Sequence, residues 1–197
     1  MANPLGMYHR HMSNRETAKK ILEKVEQLFL EGSKSNNPEL TESGLVSAAT
    51  AYRKKKTKGL TTEDLQVFRK SFEEKLSSGN NPYHVHDYIG DYEYYSTLSR
   101  TTGFPRCCQI RTNLQIFNDF FVPLKKIVTE DDLDTICTVD DFLKENARDI
   151  PPIPKDEIPK WLPETHWWWN IPKRELWTQE MIDAQLQYDW YDGWESP

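Results

Sequence analysis

The sequence predicts a mainly α-helical protein, with a small helical bundle, an irregular Tyr-rich middle and an extended, Pro/Trp-rich C-terminal arm. Apolar residues recur at helical spacing in three early segments, and all seven tryptophans lie between Trp161 and Trp194. A chain of 197 residues suits one domain plus an extension, or two small domains. We expect a flexible N-terminal arm at 1–13, a bundle at 14–79, a mixed, mostly helical segment completing the core at 80–149, and the aromatic arm at 150–197.

Three amphipathic segments with short connections predict the bundle. In the first, Ser13 and Glu16 fit a capping box, and Ile21, Val25 and Phe29 follow on one helical face. Glycines and Asn-Pro turns mark where such helices end. The expected helices run from Ser13 to Gly32, from Thr41 or Ser43 to Gly59, and from Thr61 to Gly79.

The second half of the chain is less regular. Tyrosines and acids alternate without a clear helical period from Pro82 to Phe104, which favours a loop with a short strand. Further along, apolar runs and Thr-plus-acid signatures indicate short elements. We expect a strand at 107–110, a buried helix at 113–127 interrupted by Pro123, short acidic helices starting at Thr129 and Thr138, and a last helix starting at Thr178.

Charge is unevenly distributed along the chain. Residues 127–197 contain 17 Asp+Glu and 6 Lys+Arg, a net charge of −11, whereas residues 1–126 contain 14 acids and 19 bases, a net charge of +5. Such asymmetry is typical of a polyanion-facing side with an acidic tail, or of an acidic tail lying across a basic body. A strongly acidic tail disfavours nucleic-acid binding by the whole chain without excluding it.

The number of cysteines and the hydropathy of the chain predict the compartment in which the protein is found. The three cysteines are an odd, low number, which argues against a disulfide scaffold. We therefore expect free thiols in an intracellular, reducing compartment. No apolar run approaches the ~20 residues of a membrane helix, so we expect no membrane-spanning segment, and no secretory signal is visible.

The aromatic arm carries the leading functional hypothesis. Each large ring has about 150–250 Å² of surface, so this density of aromatics requires burial, either on the chain's own helices or in a partner's groove. No catalytic motif accompanies the arm, and no family resemblance is evident. We expect a non-catalytic accessory subunit of a larger assembly that binds other protein subunits, without a cofactor. The expected partner-binding residues are Trp161, Trp167, Trp168, Trp169, Trp177, Trp190, Tyr191 and Trp194.

A metal-dependent enzyme is the alternative. In an extended segment, His84-Val-His86 places both imidazoles on one face, and Asp87 and Asp91 follow. Imidazoles and carboxylates suit zinc, iron or manganese, so a transition metal at His84 and His86 is the alternative cofactor. The substrate of such an enzyme is unknown. The opposing interpretation is that the two histidines are ordinary surface or hydrogen-bonding residues.

Two further clusters each have a functional and a structural interpretation. A basic run at the end of the second helix suits either a solvated helix end or phosphate contacts, and the second alternative function is therefore a nucleic-acid-associated protein. The run consists of Arg53, Lys54, Lys55, Lys56 and Lys58. Cys107 and Cys108 lie between two arginines, which favours reactive thiols, but burial beside a Phe-rich helix favours a structural role. Phosphate-binding glycine loops and metalloprotease or hydrolase motifs are absent from the sequence.

Overall fold

The computed structural model describes residues 4–58, 60–77 and 84–185. The protein is mainly helical, with 73% helix and no strand in the described ranges, which confirms the predicted fold class. The α-helices are α1 (Pro4–Ser35), α2 (Pro38–Lys58), α3 (Thr62–Ser77), α4 (His84–Thr97), α5 (Phe104–Ile116), α6 (Glu130–Glu145) and α7 (Gln179–Gln185). Short turns of π or 3-10 geometry are Phe117–Phe121, Leu124–Lys126, Trp167–Asn170 and Arg174–Leu176.

The helices belong to two compact units, each built from two stretches of chain. The first unit comprises Met1–Val85 and Asn113–Val128, and the second comprises His86–Thr112 and Thr129–Pro197. The first contains 16 Lys+Arg and 11 Asp+Glu, a net charge of +5, and the second contains 9 and 20, a net charge of −11. The charge asymmetry of the sequence therefore follows the division into units. Among the described residues, no helix combines the length and apolarity that crossing a membrane requires.

Phenylalanines form the core of the first unit. The Phe29 ring lies 5.3 Å from that of Phe72 and 5.0 Å from that of Phe117, measured between centroids. Phe117 in turn stacks on Phe121 at 5.8 Å. The predicted buried helix at 113–127 thus supplies Phe117 and Phe121, but it is helical only in parts. After α5 it continues as the π-helical turn and then a 3-10 turn beyond Pro123.

Close packing of α1 against α2 explains why glycine occupies positions 32 and 44. A Cβ on Gly32 would lie 2.9 Å from Thr41 Oγ1, and one on Gly44 would lie 2.9 Å from the Phe29 ring. The prediction that Gly32 ends the first helix is wrong, since α1 continues to Ser35. The chain instead reverses at Asn36, whose φ of 52° is in the left-handed region that asparagine tolerates.

The N-termini of α3 and α6 are confirmed by their side-chain caps. Thr61 Oγ1 accepts a hydrogen bond from the Asp64 amide at 3.1 Å, and the Asp64 carboxylate accepts from the Thr61 amide at 3.1 Å. Thr129 and Asp132 form the same reciprocal capping box at the start of α6. Both threonines were identified from the sequence because capping depends on residues only three positions apart.

Three predicted helix starts are wrong. The second helix begins at Pro38 rather than at Thr41 or Ser43. The first helix begins at Pro4 rather than Ser13, so most of the segment 1–13 expected as a flexible arm is helical. No helix-breaking residue lies between Gly6 and Gly32, and extending a formed helix is easier than nucleating one. Likewise, Thr138 does not start a helix, because α6 runs unbroken from Glu130 to Glu145.

The Tyr-rich middle is the segment whose structure differs most from the prediction. Residues 84–97 form α4 instead of a loop, and residues 107–110 belong to α5 instead of a strand. Val85, Tyr88, Ile89 and Tyr92 are buried at i, i+3, i+4 and i+7, while Tyr94 is exposed. The helical period was therefore present, but tyrosines on both faces of the helix concealed it.

Candidate functional site

The Trp-rich segment packs on the second unit through two buried indoles. Trp168 and Trp169 are each 2% exposed. Their Nε1–H groups donate to a single acceptor, the Oγ1 of Thr112 in α5, at 3.0 and 2.8 Å. The thiol of Cys108 donates to the Trp168 carbonyl at 3.8 Å. These two tryptophans are therefore buried in the core of their own unit, which leaves little of their surface for a partner, and their partner-binding role stays a prediction.

Cationic and aromatic side chains flank the buried indoles. The Arg111 guanidinium lies over the Trp168 ring, 4.6 Å from its centroid, and the His166 ring stacks on Trp168 at 4.5 Å. Trp167 is only half-buried, and the Lys144 ammonium lies 4.6 Å from its ring centroid. Such cation–π contacts fix the orientation of both rings.

A buried charged network lies beside the tryptophans. Arg111 donates to both carboxylate oxygens of Asp140 at 2.9–3.2 Å, and Tyr92 donates to the same carboxylate at 2.7 Å. Burial, followed by the nearby Asp140 charge, raises the pKa of Tyr92 well above its usual value. This network joins α4, α5 and α6, and sequence reasoning missed it because the three residues are far apart in the chain.

The distal part of the arm, residues 171–185, presents apolar surface to solvent. Leu176 and Met181 are 44% and 45% exposed, and Trp177 between them is half-buried. The Trp177 Nε1–H is shielded from solvent and finds no acceptor among the described residues. Thr178 caps α7 through the Met181 amide at 3.2 Å, as predicted, and Ile182 anchors this helix with 6% exposure. Trp161 is also half-buried, whereas Trp190, Tyr191 and Trp194 lie outside the described residues.

The geometry expected for the histidine pair is wrong. His84 and His86 lie in the first turn of α4. Residues two apart in an α-helix are rotated by about 200° about its axis, so the two side chains leave nearly opposite sides of the helix. His84 is 8% exposed, whereas the side chain of His86 is 74% exposed. In the parts of the chain that the structure describes, no group of three or more His, Cys, Asp or Glu is placed to hold a metal. A metal at His84, His86, Asp87 and Asp91 stays a prediction, tested by metal analysis of the purified protein.

His86 instead pairs with the N-terminal carboxylate of α6. Its Nδ1 contacts Asp132 Oδ1, while the other Asp132 oxygen accepts from the Thr129 amide and hydroxyl. The hydrogen bond to Asp132 raises the pKa of His86. Burial acts to raise the pKa of Asp132, but the hydrogen bonds from His86 and Thr129 outweigh it and lower that pKa. The pair therefore stabilises α6 when both groups are charged.

The cysteines adjacent to the tryptophans are structural rather than nucleophilic. Cys107 is 0% exposed and Cys108 is 1% exposed, and burial raises the pKa of both thiols. Because the thiolate is the nucleophile, a raised pKa makes these groups inert. Cys137, on α6, is exposed, and all three cysteines are free.

The basic run lies at the C-terminal end of α2, as expected. Arg53 is half-buried, and the side chains of Lys54, Lys55, Lys56 and Lys58 lie outside what the structure describes. A role in polyanion binding stays a prediction. Measuring whether the protein binds a polyanion, and how that binding depends on salt concentration, tests it.

Comparison of the chain with protein-family models, with curated proteins and with solved structures finds no match. Any functional conclusion must therefore come from the geometry of the arm and of the two units.

Proposed function

We propose that this protein is a non-catalytic accessory subunit of a larger assembly, and that the distal part of its arm binds another protein subunit. The observation that carries the proposal is the exposed apolar surface around Trp177. Leu176 and Met181 account for two of the four large hydrophobic side chains that are exposed in the described chain. They flank a tryptophan whose shielded N–H is without an acceptor there.

Interface energetics support this assignment. A buried tryptophan N–H ordinarily has a hydrogen-bond partner, and leaving one unsatisfied costs about 1–3 kcal/mol. Rearrangement of the distal part of the arm on binding would let a partner carbonyl reach this N–H and remove that cost. Tryptophans are also enriched among residues that dominate binding energy.

The proposed surface has a defined chemical character. Glu175 and Glu180 are exposed beside Leu176 and Met181, and the unit that contains them has a net charge of −11. A complementary partner therefore presents an apolar groove rimmed by lysine or arginine, because like charges at the rim would oppose association.

The core part of the arm has a different role in this proposal. Trp168 and Trp169 hold the segment on α5, so the distal surface starts from an anchored point. Anchoring reduces the conformational entropy that the distal part loses on binding. Trp190, Tyr191 and Trp194 follow on the same stretch of sequence and extend the proposed contact.

Purification of the tagged chain from its own cells tests the proposal. We expect the full-length protein to elute with a partner, and the double variant Leu176→Asp/Met181→Asp to elute without it. Tyr94→Asp is the matched control, because Tyr94 is 59% exposed in the same unit but lies on α4. A full-length protein that elutes alone, or a double variant that keeps the partner, contradicts the proposal. Unchanged near-ultraviolet circular dichroism verifies that each variant retains its fold.

A further inference from the structure

A groove lies between α1 and α3 in the first unit. It has a volume of about 340 Å³. Leu22 and Phe68 form its floor and are 5% and 6% exposed, while Val67 on its edge is 65% exposed. Val67 is thus a large apolar side chain left in water next to two buried apolar side chains of the groove.

Carboxylates surround this apolar floor, and two of them are already neutralised. Glu26 accepts from the Lys75 ammonium at 2.5 Å and from the Ser71 hydroxyl at 2.8 Å. Asp64 caps α3 and lies 3.7 Å from the Lys19 ammonium. Both therefore have internal partners that hold them in place.

The remaining two carboxylates, Glu23 on α1 and Glu63 on α3, are exposed and form no ion pair within the described part of the chain. They occupy opposite walls of the groove. Four acids and a single lysine line the groove, although the whole unit carries a net charge of +5. The negative charge is therefore concentrated at the groove, against the overall charge of the unit that contains it.

We propose that this groove binds a helical segment of a partner protein in which an apolar side chain is flanked by lysine or arginine. The apolar side chain would cover Val67, Leu22 and Phe68, and the cations would pair with Glu23 and Glu63. Two adjacent helices with an apolar seam accept a third helix by ordinary ridge-into-groove packing. Nucleic acid and anionic lipid are excluded as occupants, because their phosphates would meet the same carboxylates. This surface is independent of the arm, since it belongs to the other unit.

Binding of synthetic peptides to the full-length chain tests the proposal. The probe is an amphipathic helix with leucine at i, i+3, i+4 and i+7 and lysine elsewhere, and its counterpart carries glutamate in place of lysine. We expect saturable binding of the lysine peptide alone, measured by fluorescence anisotropy. In Glu23→Lys/Glu63→Lys the Kd should rise about tenfold or more, since charge reversal converts two attractions into repulsions. Val67→Ser should weaken binding severalfold through loss of apolar contact alone.

A matched control separates the groove from general attraction of a cationic peptide to acidic surface. Glu31 is exposed on α1 but does not line the groove, so Glu31→Lys should change the Kd less than about twofold. An effect of Glu31→Lys as large as that of Glu23→Lys/Glu63→Lys, or unaltered binding in Val67→Ser, would overturn the proposal. The proposal would also be overturned if the free chain self-associates and the variant Glu23→Lys/Glu63→Lys abolishes this self-association. The occupant of the groove would then be a second copy of the chain.

Discussion

At the residue scale, Thr112 is the most consequential side chain that sequence inspection gives no reason to select. Its single hydroxyl oxygen accepts from two buried indoles, which uses both of its lone pairs. A small polar residue on α5 thereby fixes the position of the Trp-rich segment. Its importance arises from what it contacts and not from its own chemistry.

Replacing this hydroxyl should destabilise the second unit. Thr112→Val keeps the shape but leaves two buried N–H groups without an acceptor, at a cost of about 1–3 kcal/mol for each. Thr112→Ser retains the acceptor and is the control. Urea denaturation followed by tryptophan fluorescence measures both variants. Equal unfolding free energies for Thr112→Val and the wild type would show that the two hydrogen bonds are not formed.

The His86–Asp132 pair predicts a pH dependence of stability. The raised pKa of His86 means that its contribution is fully present below its unfolded pKa, about 6.5, and is lost as pH rises through the folded value. The lowered pKa of Asp132 means that its contribution is present above about 3.9 and is lost as pH falls through the folded value. The pair therefore stabilises most between about pH 4 and 6.5.

Comparison with His86→Gln measures this contribution. Since His86 is largely exposed, we expect a difference in unfolding free energy of about 1 kcal/mol or less within that window, shrinking towards pH 9. Denaturation series at several pH values, with Asp132→Asn as a second variant, give the profile. A difference that is constant with pH would mean that the ion pair does not form.

At the element scale, α5 and α6 are joined by the bidentate contact of Arg111 with Asp140. Both side chains are nearly buried, with 12% and 11% exposure, and Trp168 covers the guanidinium. The sequence predicts a helix start at Thr138, two residues before Asp140, whereas the structure places Asp140 in the interior of α6. There it is the acceptor for an arginine and a tyrosine.

A double-mutant cycle tests this connection between the two helices. Asp140→Ala removes the bidentate carboxylate partner of the nearly buried Arg111 and should cost about 3–5 kcal/mol of unfolding free energy. Combining it with Arg111→Met removes the Arg111 charge, so the double variant should be less destabilised than the sum of the single variants. The cycle is measured by urea denaturation at constant pH. Additive effects would contradict a direct interaction.

At the scale of the whole molecule, the aromatic arm is not a uniform appendage. Its proximal part contributes Ile153, Trp168 and Trp169 to the core of the second unit, whereas its distal part exposes Leu176 and Met181. The Lys173 amide donates to the Ala147 carbonyl at 3.1 Å, so backbone contacts reach beyond the buried tryptophans. Folding and the proposed partner binding therefore fall on different stretches of one arm.

Truncation separates these two roles. A chain ending at Asp149 loses both buried tryptophans, each of which is worth about 3–5 kcal/mol against a typical total of about 5–15 kcal/mol. We expect the second unit to unfold, so that Cys107 and Cys108 react with a thiol reagent as readily as the exposed Cys137. A chain ending at Gln185 keeps these contacts and should show one reactive thiol. If the chain ending at Asp149 also shows only one reactive thiol, the core role of Trp168 and Trp169 is contradicted.

The sequence by itself determined the helical class, the caps at Thr61 and Thr129 and the separation of charge, because each depends on neighbouring residues or on composition. Only the tertiary structure decided that α4 is a helix, that Trp168 and Trp169 are core residues, and that Asp140 pairs with Arg111. Burial and pairing depend on groups tens of residues apart, as in the contact of Trp169 with Thr112 across 57 positions. The spacing of residues along the chain carries no information about such contacts. The sequence alone therefore does not show which tryptophans are buried in the core and which remain partly exposed.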